Sequence, residues 1–167
     1  MNVSRPTIDA IFLLVKQCFI ENRMFDRYVT CLNADFAMNN TSKLCHLGIS
    51  HMFPLLADKI GETIEKYNIS IEYGDTPEAK DIYDSPKTIL NEMSTKIIDF
   101  QNMLIKAIKI AEDNNDLQVY VELLDILEDY NKVVEQGILL KDKCELYNGN
   151  YASFDAHIRE HFWILGE

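Results

Sequence analysis

The sequence predicts an all-α bundle of four long helices, with a long crossover between helices two and three and a short fifth helix at the C-terminal end. Apolar residues recur at three- and four-residue steps in five stretches, which is the spacing of one helix face. Only 6 glycines and 4 prolines interrupt the 167 residues. The link between the second and third stretches is much longer than its neighbours. Such a link lets the chain cross the bundle, so that helices two and three run parallel.

Helix one is predicted over residues 6–32, with Ser4 as its N-cap and Pro6 in its first turn. Its main apolar stripe consists of Ile8, Ile11, Val15, Cys18, Phe25, Val29 and Leu32. A second stripe, on roughly the opposite side, consists of Leu13, Ile20, Met24 and Cys31. A helix that is apolar on two faces is usually buried on two faces. We therefore expect the second stripe to contact another subunit.

Helix two is predicted over residues 43–67, after a polar turn at residues 39–42 that supplies its cap. Its inward stripe consists of Ile49, Met52, Phe53, Leu56, Ile60, Ile64 and Tyr67. Pro54 lies early enough to bend this helix rather than end it. The crossover follows at residues 70–85, with a short helical turn expected around residues 78–83.

Helix three is predicted over residues 86–113, with Ser85 as its cap, and helix four over residues 117–147 after a tight link. A final short helix is predicted over residues 153–164. The inward face of helix three consists of Leu90, Met93, Ile97, Phe100, Leu104, Ala107, Ile108 and Ala111. We find no internal repeat, so the whole chain, residues 1–167, is predicted to form one domain.

The charge of the chain is strongly negative, with 16 Lys and Arg against 27 Asp and Glu, a net charge of −11. Such a surface repels nucleic-acid phosphates and suits cations, so we expect no nucleic-acid partner. The apolar run at residues 10–15 is short and lacks the features of a signal peptide. No run approaches the roughly 20 apolar residues of a membrane span. We expect a cytoplasmic protein without membrane association, and its four scattered cysteines to be reduced.

Two short patterns resemble the ferritin-like superfamily, and the resemblance in layout covers nearly the whole chain. Residues 105–111, followed by Asn-Asn-Asp at residues 114–116, are similar to the turn between the third and fourth helices of ferritins. Gly74 followed by Thr-Pro at residues 76–77 resembles the mini-ferritins that protect starved bacteria, the Dps type. The resemblance implies a ferritin-like bundle that assembles into a symmetric homo-oligomer. It also implies Fe(II) oxidation by oxygen or peroxide and iron storage in a hollow shell.

The same resemblance indicates a metal site on helix two. Mini-ferritins carry Asp-x-x-x-Glu late in this helix, facing a twofold partner, and Asp58 and Glu62 fit that spacing. His51 lies seven residues before Asp58, so all three residues share the outward side of the helix. Imidazole and carboxylates can hold iron, zinc or manganese. Three leucines are predicted on the same outward side, which is unusual for a solvated surface: Leu44, Leu47 and Leu55.

The ligand set departs from the mini-ferritin pattern. The helix-one histidine of that family falls near Cys31, which is predicted to lie across the dimer interface, and its early helix-two histidine falls near Lys43. The alternative is that Asp58 and Glu62 are ordinary acids on the outer face of the helix, beside Lys59 and Lys66. The chain is then a metal-free ferritin-like scaffold that acts as a structural or protein-binding oligomer. A third alternative is an interaction module that docks a partner helix on the second stripe of helix one.

An iron centre inside the bundle is not expected. The inward face of helix three is wholly apolar, the acids of helix four project outward or sideways, and neither helix two nor helix four contains Glu-x-x-His. We therefore expect a dry core. His157 and His161 share a helical face and are expected to cap or pack the terminal helix, with an incidental metal site as the alternative. Cys45 and His46 are adjacent in a helix and cannot face each other.

Overall fold

The structure is a computed structural model that describes residues 2–165, and it confirms the predicted all-α bundle with a short fifth helix. The helices are α1 (Arg5–Ala34), α2 (Asn39–Cys45), α3 (Met52–Glu65), α4 (Pro86–Asp113), α5 (Leu117–Leu146) and α6 (Tyr151–Ala156). A π-helical turn, His46–Ser50, joins α2 to α3, and the three together form the second bundle helix. A 3₁₀ turn, Ile158–His161, follows α6. Met1, Gly166 and Glu167, which the predicted domain 1–167 includes, lie outside the described residues.

The helix directions follow from contacts at the two ends of the bundle. The Tyr28 hydroxyl, near the end of α1, donates to Glu92, near the start of α4, over 3.1 Å. At the opposite end, the backbone N–H of Ser4 donates to Asp116, which follows α4. Helix α4 therefore runs antiparallel to α1. The second bundle helix also runs antiparallel to α1, because only residues 35–38 separate them. The second and third bundle helices are thus parallel, as the long crossover predicted.

The crossover lies along α1 as an extended segment. Its Tyr73 ring packs against Phe19 with centroids 5.9 Å apart, and its Tyr83 ring packs against Tyr28 at 5.5 Å. Between them, the Arg27 guanidinium donates to a crossover carbonyl over 2.8 Å. The helical turn expected around residues 78–83 is therefore wrong, since this segment contacts α1 in extended form.

The crossover also changes the interpretation of the second stripe of helix one. Cys31 is only 1% exposed, so the predicted outward thiol is wrong. Tyr83 of the crossover lies beside it. Ile20 and Met24 are half-buried, and Leu13 alone in this stripe remains well exposed. The same chain therefore covers much of the surface that was expected to meet another subunit.

A line of buried aromatic rings crosses the middle of the bundle. Phe25 of α1 packs against Phe53 of α3 with centroids 5.3 Å apart. Phe53 contacts Phe100 of α4 at 5.7 Å, and Phe100 contacts Tyr130 of α5 at 5.1 Å. Each pair adds about 0.5–1.5 kcal/mol beyond the burial of its surface. One ring from each bundle helix thus fills the centre, where α1 and α5 each contact both α3 and α4.

Two carboxylates from distant parts of the chain support helix starts. Asp116 accepts hydrogen bonds at the start of α1 from the hydroxyls of Ser4 and Thr7, both over 2.5 Å. Asp155 of α6 accepts from the backbone N–H and the hydroxyl of Thr41, both over 2.7 Å. The second bundle helix begins at Asn39, a turn earlier than predicted, because the Asp155 carboxylate accepts hydrogen bonds from N–H groups of its first turn.

Replacing Asp116 with Asn is expected to lower the free energy of unfolding by about 1–2 kcal/mol, because a neutral amide accepts less strongly from Ser4 and Thr7. Burial alone would raise the pKa of Asp116, but the hydrogen bonds from Ser4 and Thr7 outweigh it and lower the pKa. A carboxylate with a lowered pKa stabilises the fold above its unfolded-state pKa, and this contribution disappears as pH falls through the folded-state pKa. Urea denaturation should therefore show a difference between the two proteins at neutral pH that shrinks below about pH 4. A difference that persists unchanged in acid would contradict this role.

Candidate functional site

The three predicted ligands all lie on the exposed side of the second bundle helix. Asp58 and Glu62 are one turn apart in α3, about 6 Å along the axis, so their carboxylates can approach one ion. His51 precedes Asp58 by two turns, about 10 Å, which is too far for one ion to bind both within a chain. Among residues 2–165, no three His, Cys, Asp or Glu side chains are arranged to hold a metal ion. A complete site with all three ligands therefore needs a second chain.

The charges around the carboxylate pair leave it available to a cation. Glu62 lines a shallow depression together with Lys66, Glu122 and other residues of α3 and α5. Lys66 forms its ion pair with Glu122 rather than with Glu62. Within the described part of the chain, neither Asp58 nor Glu62 forms an ion pair. The alternative that Asp58 and Glu62 are ordinary exposed acids beside Lys59 and Lys66 stays open, since both acids are exposed.

Large apolar side chains surround the same exposed side. Leu47 is 47% exposed and Leu55 is 63% exposed, on either side of His51. Next to them, a groove of about 210 Å³ lies between the second bundle helix and α5. Apolar side chains clustered in this way mark interaction surfaces. Leu44 was predicted to share this side, but it is 7% exposed, because the π-helical turn rotates α2 relative to α3.

The π-helical turn has a local cause in Pro54. Proline has no N–H, so the carbonyl of Ser50, four residues earlier, loses its helical donor. The side-chain amide of Asn22 in α1 donates to this carbonyl instead, over 2.9 Å. Just before it, the backbone N–H of His51 donates to the carbonyl of His46 over 3.1 Å, five residues back. Pro54 thus accompanies an inserted residue in the second bundle helix, and the predicted bend stays a prediction.

One carboxylate that was not predicted from the sequence is buried near the centre of the bundle. Glu21 of α1 is 3% exposed. Its Oε1 accepts a hydrogen bond from Gln17 over 2.6 Å, whereas its buried Oε2 has no partner among the described residues. Burial raises the pKa of Glu21; the Gln17 bond and Lys96 act in the opposite direction. The expectation of a wholly dry core is therefore wrong at this position. Glu21 lies three residues after Cys18 and four before Phe25, so the spacing of the main stripe of helix one was the available signal for its burial.

The C-terminal histidines are engaged in packing. The His161 ring is buried, lies 3.0 Å from the Tyr147 hydroxyl through Nε2, and stacks on Phe154. His157 is exposed, and its Nδ1 lies 2.8 Å from the carbonyl of Ser153. These contacts agree with the expectation that both residues cap or pack the terminal segment.

A buried glutamine holds the tail of the chain. The Gln136 side chain of α5 donates to the carbonyl of His161 over 2.7 Å and accepts from the backbone N–H of Trp163 over 2.7 Å. These bonds replace helical ones, so the single helix predicted over residues 153–164 is wrong in its second half. The chain instead forms α6, a 3₁₀ turn and an extended tail.

All four cysteines are buried free thiols, in agreement with the expected reduced state. Burial raises the pKa of Cys45 to about 12. Burial, opposed by Lys87, raises the pKa of Cys144 to about 11. Thiolates are the reactive form of cysteine, so these groups are chemically quiet at neutral pH.

Comparison with known proteins identifies the fold. No protein-family model and no curated protein matches the sequence. A novel open pore ferritin from the hyperthermophilic archaeon Archaeoglobus fulgidus matches the structure with a TM-score of 0.88, over 96% of this chain and 98% of that chain. The fold is ferritin-like. Sequence identity to that protein is only 10%.

Two engineered proteins give the same result. A humanized archaeal ferritin matches the ferritin-like fold of this chain with a TM-score of 0.87 and 10% identity, over 96% of this chain and 97% of that one. A closed form of the Archaeoglobus fulgidus ferritin, made by site-directed mutagenesis, matches with a TM-score of 0.87 and 11% identity, over 96% of each chain. These identities are too low to transfer residue roles, and the closer likeness to mini-ferritins stays a prediction. Across the described residues, none of the helices combines the length and apolar character needed to cross a bilayer.

Proposed function

We propose that this chain is the subunit of a cytoplasmic, ferritin-like homo-oligomer that oxidises and stores iron, with a metal site on the outward side of the second bundle helix. One observation carries the proposal. Asp58 and Glu62, free of ion pairs with other described residues, lie on the same exposed helix surface as the apolar side chains of Leu47 and Leu55. Apolar residues favour contact with another chain, and carboxylates bind iron.

A twofold contact would complete the ligand set. In such a contact the same surface serves both subunits, so residue i of one chain meets residue j of the other, and the reverse. If the two helices pack antiparallel, the partner's His51 comes next to Asp58 and Glu62. The two carboxylates would then be the main ligands and the imidazole an auxiliary one. Iron is the substrate here, and the net charge of −11 favours its approach as a cation.

The proposed reaction balances with common oxidants. Two Fe(II) ions each lose one electron, and one hydrogen peroxide molecule accepts both electrons together with two protons to become two waters. Oxygen accepts the same two electrons and two protons to become hydrogen peroxide. The chain supplies the ligands that hold Fe(II) and favour the higher charge of Fe(III).

The Asp58→Ala, Glu62→Ala double variant is expected to oxidise Fe(II) at least tenfold more slowly than the unmodified protein, because both carboxylate ligands are lost. The absorbance of Fe(III) after mixing with Fe(II) and peroxide measures the rate. The Asp142→Ala, Glu145→Ala variant removes two exposed acids of α5 away from this surface, so it controls for the change in net charge. Equal rates in all three proteins would remove the proposed site.

A metal-free scaffold is the second candidate. It is favoured by the absence, among residues 2–165, of three side chains arranged to hold a metal ion within one chain. Metal content separates the two functions, because both are oligomers of the 19.3 kDa chain. An oligomer that contains no transition metal after purification without chelators, and that shows no rapid Fe(II) oxidation, would support the scaffold.

A further inference from the structure

A second group of possible metal ligands lies where α1 meets the π-helical turn, and it uses residues of a single chain. The rings of His46 and His51 lie in an edge-to-face arrangement with centroids 4.2 Å apart. Nε2 of His46 lies 3.7 Å from Oδ1 of Asp26 in α1. The side chains of His46 and Asp26 are both about half exposed, so an ion in solution can reach them.

The π-helical turn creates this group. In a regular α-helix, residues five apart point about 140° away from each other, so His46 and His51 would not meet. Here the hydrogen bond from the N–H of His51 to the carbonyl of His46 widens the turn and places one imidazole above the other. Insertions of this kind are frequent at functional sites. The turn coincides with Pro54, whose missing N–H accounts for the local change in backbone hydrogen bonding.

Hydrogen bonds with α1 keep the π-helical turn close to the Asp26 carboxylate. The Ser50 hydroxyl donates to Oδ1 of Asp26, and the Asn22 amide donates to the carbonyl of Ser50. These bonds link the turn to α1 at two successive positions on the same face of α1. The Ser50 hydroxyl thereby holds Oδ1 of Asp26 near His46, and Oδ2 makes no hydrogen bond within the described residues.

We propose that His46, His51 and Asp26 bind a late first-row divalent cation of the zinc and copper class. Two imidazoles and one carboxylate are a common ligand set for these ions, with the remaining position open to water. The three groups do not yet converge on one point. The rings are slightly closer together than two ligands of one ion would be, and the 3.7 Å separation is slightly wide. The proposal therefore requires the half-exposed side chains of His46 and Asp26 to rotate when an ion binds.

This site is separable from the proposed iron site, although the two share His51. His46 and Asp26 belong only to the present site, whereas Asp58 and Glu62 belong only to the other. The imidazole-rich site favours borderline ions, and the carboxylate pair favours harder ones. The binding of zinc by the single chain therefore requires neither assembly nor iron oxidation.

The test is Zn²⁺ titration of the full-length protein after chelator treatment and removal of the chelator, followed by calorimetry. One Zn²⁺ per chain is expected. The His46→Ala variant is expected to bind at least tenfold more weakly, and the Asp26→Asn variant several-fold more weakly. The His157→Ala variant, which removes an exposed imidazole outside the group, is the matched control and should bind like the unmodified protein. The Asp58→Ala, Glu62→Ala variant should also bind normally, whatever its effect on iron.

A spectroscopic measurement identifies the ligands directly. With one Cu²⁺ per chain, electron paramagnetic resonance should show coupling to two imidazole nitrogens in the unmodified protein and to one in the His46→Ala variant. Circular dichroism should show the same helix content in both, because the substituted side chain is exposed. Absence of Zn²⁺ binding, or equal affinity in the His46→Ala variant and the unmodified protein, would overturn the proposal. Equal losses in the His46→Ala and His157→Ala variants would indicate nonspecific surface binding and would also overturn it.

Discussion

Replacing Phe53 with Ala is expected to lower the free energy of unfolding by about 3–5 kcal/mol, the range for a fully buried aromatic ring. Phe53 has no exposed surface, and it contacts both Phe25 of α1 and Phe100 of α4. Its loss therefore breaks the line of rings between the two halves of the bundle and leaves a cavity at the centre. Long helices cannot close such a cavity without shifting along their whole length, so we expect a cost toward the upper end of the range.

Chemical denaturation monitored by circular dichroism measures this effect. The Lys59→Ala variant is the control, because Lys59 lies on the same helix but is exposed; its effect should stay within about 0.5 kcal/mol. The Phe53→Leu variant keeps most of the volume and should show an intermediate loss. A loss below about 1 kcal/mol for Phe53→Ala would show that the bundle repacks easily and that the line of rings does not determine its stability.

The bundle could be predicted from the sequence because its helices follow one periodic rule over long distances. Residues such as Ile97 and Leu104 repeat inward at helical spacing, and the short and long links then determine the helix directions. The predicted helix ends are wrong where a backbone donor or acceptor is hydrogen-bonded by a side chain that lies far away in the sequence. Asp155 extends the second bundle helix backward, and Gln136 ends the last helix early. No local pattern encodes contacts between residues more than 20 positions apart.

The candidate sites show the same limit. Spacing alone placed Asp58 and Glu62 on the exposed side, because α3 is a regular helix, and His51 just before α3 lies on the same side. It did not pair His46 with His51, since regular helical projection separates residues five apart. The available signal was Pro54, which removes a donor one turn later and makes an inserted residue more favourable. The iron proposal depends on a partner chain, so no feature of one sequence could establish it.

Glu21 gives the second large expected effect. Replacing Glu21 with Gln is expected to raise the free energy of unfolding at neutral pH by about 1–3 kcal/mol, because a buried carboxylate with one unpaired oxygen is removed. The amide oxygen of glutamine can still accept from Gln17, so the existing hydrogen bond survives. The Glu135→Gln variant makes the same substitution at an exposed position of α5 and should change stability by less than about 0.5 kcal/mol.

The pH dependence distinguishes a buried charge from altered packing at Glu21. Burial raises the pKa of this carboxyl in the folded protein above its unfolded value. The folded protein then holds a proton that the unfolded chain releases, so the unmodified protein loses stability as pH rises through the folded-state pKa. The gain in the free energy of unfolding from Glu21→Gln should therefore be largest above that pKa. It should become small below about pH 4.5, where the carboxyl is protonated in both the folded and the unfolded state. Urea denaturation of the two proteins from pH 4 to pH 8 measures the difference. A gain that is equal at both ends of this range would mean that Glu21 has the same pKa in the folded and unfolded states, and that its burial has no electrostatic cost.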